Sequence, residues 1–210
     1  MKQLRERLKP LSTKGKIEYL IQYYSFHFIV AIVIIVFLAM GIHTFTNQQK
    51  EILGVRVVGA NVTDSQANDV QKELEKLLLD SKQSQNEKLS VISYNTSDVA
   101  DNPVSVERIQ KLAAEIAAKE VDVLLVDEET FHQFNQDGTN LYDLSSIKDF
   151  KDWNGPKYSP EQDTSKITGV DVSNVPIFTS LTGSPKPLIL AVVTNTERLD
   201  VVKELSHFLK

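Results

Sequence analysis

The chain has 210 residues, 23 Lys and Arg against 28 Asp and Glu, a formal net charge of −5, and no cysteine. The acidic balance speaks against nucleic acid as a partner. The missing cysteine excludes disulfides, thiolate metal ligands and a thiol nucleophile.

Met1 to Ser25 carries Lys2, Arg5, Arg7, Lys9, Lys14 and Lys16 against only Glu6 and Glu18. Phe26 to Phe45 then contains no Asp, Glu, Lys or Arg, and is apolar at every position from Phe28 to Ile42. Twenty helical residues reach about 30 Å, the thickness of a bilayer's hydrocarbon core, so composition predicts one membrane-spanning helix over 26–45 with the lipid bilayer as a partner. The basic residues on one side predict a cytoplasmic N-terminus for 1–25, and a cell-membrane protein whose remaining chain is extracytoplasmic. Tyr19, Tyr23, Tyr24 and His27 are expected at the headgroups, where amphipathic rings are favoured. Cleavage after Ala39-Met40-Gly41 is the competing reading, opposed by the long lead-in and the apolar continuation past Gly41.

After a linker over 46–51, residues 52–210 alternate strand and helix patterns and suffice for one domain. Ile52 to Ala60 reads as a strand rich in Val and Ile. Asp64 is a helix-capping residue ahead of Ala67, Val70, Leu74, Leu77 and Leu78 at helical spacing. Leu89 to Tyr94 is a second strand. Asn102-Pro103 signals a second helix, which is expected to bury Val106, Ile109, Leu112, Ala113 and Ile116. Val121 to Val126 is a third strand, and Asp127 caps a short helix that stops at Gly138. Val175 to Leu181 suggests a short strand. Leu188 to Val193 is a buried strand, followed by a helix over Glu197 to Leu209. Repeated strand-helix units imply an α/β domain with a mostly parallel sheet and helices on both faces.

Chemistry is sparse. Neither G-x-x-x-x-G-K-[ST] nor G-x-G-x-x-G nor G-x-S-x-G is present, so nucleotide binding by a phosphate-cradling loop and a serine nucleophile elbow are both excluded. Nothing calls for a cofactor or a resident metal. Asp127, Glu128, Glu129 and His132 follow the third strand, where open parallel sheets tend to bind ligands; three carboxylates with an imidazole suit a divalent cation or an enzyme site. Acidic residues in a helix's first turn are also explained by its dipole alone. Trp153, in a Trp-Asn-Gly-Pro loop, offers ring surface to a ligand or packs on its own domain. The Asn-x-Ser/Thr matches at Asn61 and Asn95 read as chance rather than glycosylation sites. Sheet geometry predicts a contact rim at the carboxyl ends of parallel strands, formed by Asn61, Asn95, Asp127, Glu128 and Asn195 with Trp153 above.

The stretch VDVLLVDEETFHQFNQDGTNLYDLSS and the ending PLILAVVTNTERLDVVKELSHFL resemble the first lobe of type II extracytoplasmic solute-binding proteins, and the order of strands and helices strengthens the likeness. The lead-in EYLIQYYSFHFIVAIVIIVF resembles uncharacterised single-span membrane proteins of low-GC Gram-positive bacteria. Ile147 to Lys186 is too short for the second lobe that such binding proteins carry. The resemblance therefore implies a membrane-tethered, noncatalytic binding or interaction module, accessory to a transporter or envelope complex, with a membrane or envelope protein as partner or a small ligand. An envelope enzyme using Asp127 to His132 is the alternative.

Overall fold

The computed structural model describes residues 12–15, 26, 29–40, 49–58, 62–79, 86–94, 106–181 and 187–210. The chain divides into two compact units, Met1–Gln48 and Gln49–Lys210.

In the first unit, residues 29–40 are helical and exposed throughout. These twelve described residues rise about 18 Å, against a hydrocarbon core of about 30 Å. Among the described residues no helix is long and apolar enough to cross a membrane. This finding overturns the single-pass span expected over 26–45. The placement built on that span, a cell-membrane protein with a cytoplasmic N-terminus and an extracytoplasmic domain, goes with it. Tyr19, Tyr23, Tyr24 and His27, expected at headgroups, lie outside the described residues.

The second unit is built on a six-stranded sheet. Its strands are β1 (Lys50–Val58), β2 (Glu87–Tyr94), β3 (Val123–Val126), β4 (Lys157–Tyr158), β5 (Gly169–Asp171) and β6 (Ile189–Val192), in the order β2-β1-β3-β6-β5-β4. β1 runs parallel to β2 and β3, whereas the pairs β3-β6, β6-β5 and β5-β4 are antiparallel. The expected mostly parallel sheet is thus parallel in one half only. The cause lies in the connections: helical crossovers α1 (Asp64–Leu78) and α2 (Val106–Ala117) return the chain to the start of the next parallel strand, and among the described residues no such helix separates β4, β5 and β6.

Helices do cover both faces. Leu53, Val55 and Val57 of β1 pack with Val70 and Leu74 of α1 and with Val202 and Leu205 of the last helix, α5 (Leu199–Leu209). The alternate residues Val58, Leu124, Val126, Ile189 and Ala191 face Leu112 of α2 and Phe131 of α3 (Glu128–Asn135). This period-two division of each strand between two cores is what a sheet buried on both sides requires. In α1 the burial of Val70, Leu74 and Leu78 stabilises by roughly 1.5–3 kcal/mol per side chain, more than any difference in intrinsic helix propensity among ordinary residues. Its N-cap is Thr63, one residue before the expected Asp64, and Thr63 forms a reciprocal capping box with Gln66.

Between β3 and β4 the chain forms a 3-10 turn (Leu144–Ser146) and the one-turn helix α4 (Lys148–Lys151), anchored by buried Leu144 and Phe150. Val175 to Leu181, expected as a strand, is instead a 3-10 helix over Pro176–Leu181. Pro176 has no N–H for a ladder, and the buried residues Phe178 and Leu181 recur at a spacing of three rather than two.

A buried ionic clasp joins the first strand to the last helix. Asp122 is 0% exposed; its carboxylate accepts hydrogen bonds from the Gly54 N–H at 2.7 Å, the Thr196 hydroxyl at 2.5 Å and Arg198 Nε at 3.0 Å. Arg198 also donates to the Glu51 carbonyl at 3.0 Å and the Lys119 carbonyl at 2.7 Å. At Gly54 the chain passes so close to Glu120 that a Cβ would stand 1.9 Å from its carbonyl oxygen, which only glycine avoids.

Candidate functional site: a cleft between two helices

The sequence expects the whole apolar stripe of α2 to be buried, but the structure covers little of it. Leu112 is 4% exposed, Ile109 is 54% exposed, Ala113 is exposed and Ile116 is half-buried. What fastens α2 to the sheet on the β1 side is a charge pair. Glu115 Oε2 lies 2.7 Å from Arg56 Nε, and Arg56, 2% exposed, also donates to the Val55 carbonyl and the Ser90 hydroxyl. A buried pair of this kind is held in place by such additional hydrogen bonds. Ser90 in turn donates to Glu51.

The uncovered stripe of α2 forms one wall of a cleft of about 570 Å³. Val58 and Tyr94, from the carboxyl ends of β1 and β2, line it beneath α2. Thr130, Gln133 and Phe134 of α3 form the opposite wall, and Leu141, Val193 and Asn195 close it beyond β6. Position on the wall follows from helix periodicity: Ile109, Leu112, Ala113 and Ile116 recur at three and four residues and share one face.

Tyr94 is the most perturbed group in the cleft. It is 5% exposed, and its hydroxyl lies beside Glu115 and Arg56 without reaching hydrogen-bonding geometry to either. Burial pushes its pKa up to about 12; the Glu115 carboxylate adds to the rise and Arg56 opposes it. Lys111 Nζ stands 5.9 Å from the centre of the Tyr94 ring. Burial alone would raise the Glu115 carboxyl, but the hydrogen bond and charge of Arg56, the nearby Tyr94 hydroxyl and Lys111 together hold it below its ordinary value.

The residues expected on a contact rim do not converge. Asn61 and Asn95 lie outside the described residues. Asp127 is buried, and its carboxylate accepts the Thr130 N–H at 2.8 Å as the N-cap of α3. Glu128, Glu129 and His132 are exposed on that helix, and among the described residues no three His, Asp or Glu side chains gather as metal ligands. Trp153 packs against Phe150, ring centres 6.3 Å apart, and donates Nε1–H to the Asp171 carbonyl at 3.1 Å, which makes it part of its own domain's core. Asn195 follows β6, whose antiparallel course carries it to the sheet edge opposite Asp127. There its side-chain amide donates to the Ile116 carbonyl at 2.6 Å and ties the end of α2 to the cleft. Of the expected site residues that are described, Asn195 alone lines the cleft.

Sequence reasoning missed this cleft although its signal was present. The apolar stripe of α2 was visible, but spacing records which residues share a face, not whether the sheet reaches far enough to cover it. No family model matches the chain, and neither a curated protein nor a solved structure matches it.

Proposed function

We propose that Gln49–Lys210 is a noncatalytic binding module that holds a small ligand, or a short segment of a protein partner, in the cleft between α2 and α3. The observation that carries this reading is the half-covered apolar stripe of α2 above a cleft of about 570 Å³, a volume within the ordinary range for ligand pockets. An apolar helix face left open to water costs free energy that a bound apolar surface recovers.

The fold reading that accompanies it is a single lobe of the type II solute-binding kind. Supporting it, the strand-helix order runs through β1, β2 and β3, and β6 with α5 returns to the same sheet beside β3. The segment between them adds β4 and β5 to that sheet. No observation favours an enzyme at Asp127 to His132, since Asp127 is occupied in capping α3 and its neighbours point to no common centre.

The test uses the full chain and the neutral fluorescent probe phenylnaphthylamine. Ala113 is exposed on the cleft wall, so Ala113→Trp should fill the cleft and abolish a saturable part of the probe signal while thermal unfolding stays the same. Binding by the exposed apolar helix over 29–40 is common to both proteins and cancels in the comparison. If the variant takes up the probe as the parent does, the cleft is not the site.

A further inference from the structure

We infer that Gln71 is an autoinhibitory guard on β2: its side chain takes an N–H through which the end of the sheet would otherwise pair with a second copy of this chain. β2 ends the sheet with eight residues, whereas β4 at the other end has two. Among the described residues no strand pairs with the outer side of β2. Which groups face that side follows from alternation along the strand. The Lys50 N–H donates to the Asn86 carbonyl at 2.8 Å, so even-numbered residues face β1, and Glu87, Leu89, Val91 and Ser93 turn their N–H and C=O outward. Within that row Gln71 Oε1, from α1, accepts the Val91 N–H at 3.3 Å. The Gln71 amide is held in this pose from its other end, where Nε2 donates to Glu75 Oε1 at 2.9 Å, one helical turn on.

Symmetry sets the occupant that such a guard excludes. Every copy carries the same outward row, and two of them run antiparallel satisfy each other about a two-fold axis through Ser90. In that register Leu89 faces Val91 of the second copy, and the two residues exchange both hydrogen bonds. Glu87 then faces Ser93, and Lys88 faces Ile92, so no charge of either strand meets its like. Ile92, 37% exposed, gains apolar cover from the Lys88 stem. The Val91 N–H is thus a donor that this pairing needs and that Gln71 already holds. Two guards must let go for each pair formed. The net worth of one hydrogen bond is about fivefold in an equilibrium constant, so together they lower pairing about twenty-five-fold.

The experiment reads that pairing as a disulfide in the full chain, which has no cysteine of its own. Lys88→Cys together with Ile92→Cys places two thiols opposite each other in the proposed register, where Cα atoms about 4.5 Å apart suit a disulfide. In a glutathione buffer at low protein concentration, adding Gln71→Ala should raise the yield of linked dimer about twenty-five-fold. Gln71→Met, which keeps the bulk and lacks the oxygen, should do the same. Gln71→Glu with Glu75→Gln exchanges the two groups, keeps an oxygen for the Val91 N–H and should return the yield to the parent's. A lone Lys203→Cys, on exposed α5, measures chance encounters, including any through the apolar helix over 29–40, and should not respond to residue 71. Trp153 fluorescence checks that each variant is folded. An unchanged yield in both Gln71→Ala and Gln71→Met overturns the inference, as does an equal rise at Lys203→Cys or a rise that the exchanged pair fails to reverse.

Discussion

Replacing Arg198 by Met keeps an unbranched stem of similar reach and deletes the guanidinium that clasps Asp122. The Asp122 carboxylate would be left 0% exposed with only the Gly54 N–H and the Thr196 hydroxyl as donors. Breaking one partner out of a buried pair costs about 3–5 kcal/mol. The Arg198 side chain is 20% exposed, so water reaches the vacated space in part and the lower end, about 3 kcal/mol, is the expected cost. With a urea dependence of about 2 kcal/mol per molar for a domain of this size, the unfolding midpoint should fall by about 1.5 M. Fluorescence of Trp153, the single Trp of the chain, reports the transition. The double variant Asp122→Asn with Arg198→Met should recover at least about 1 kcal/mol relative to Arg198→Met, because the stranded charge is gone while the amide oxygen still accepts from Gly54. A midpoint shift below about 0.3 M for the single variant, or no recovery in the double, would refute the assignment of a buried charge clasp.

Thr63→Ala removes the capping box of α1 and should cost about 1 kcal/mol in thermal or urea unfolding. Asp127→Ala should cost a similar amount through loss of the α3 cap, and Asp127→Asn much less; with both variants folded, probe binding in the cleft should match the parent's. Glu115 has a folded pKa held below its ordinary value of 4.5. Its contribution is therefore complete above that value and is lost as pH falls through the lowered folded pKa. Urea midpoints measured from about pH 6 down to pH 3 should decline less steeply in Glu115→Gln than in the parent.

Long, strongly periodic elements were readable in the sequence, and short or direction-dependent ones were not. Ala67, Val70, Leu74 and Leu78 specify α1 because one buried stripe needs only local spacing. Asp127 announces α3 because a cap is a contact between near neighbours, here with Thr130. β6 was visible as the apolar run around Ile189–Val192, but its antiparallel course was not. A strand buried on both faces looks alike in either direction, and the connection before it decides. β4 and β5 have two and three residues, too few for any period to register. The site suffered from a related limit. Asn195 was placed with Asp127 on the assumption of parallel strands, and one reversed strand moves it across the sheet. The clasp of Asp122 with Arg198 spans 76 residues, a separation over which no local pattern signals a contact.

The position of β6 also dictates an order of assembly. It is sixth among the strands along the chain, yet it sits between β3 and β5 and is hydrogen-bonded on both sides. Until it arrives, β3 on one side and β5 on the other each present an unpaired edge, and the sheet exists as two separate pieces. A nascent chain stopped between β5 and β6 thus holds two adhesive edges and neither finished core, the condition under which edge strands recruit other chains. The same late strand lets one binding event seal both halves. Arg198, just beyond it, then reaches back to Glu51 at the domain's beginning and works as a latch on a sheet completed from its middle.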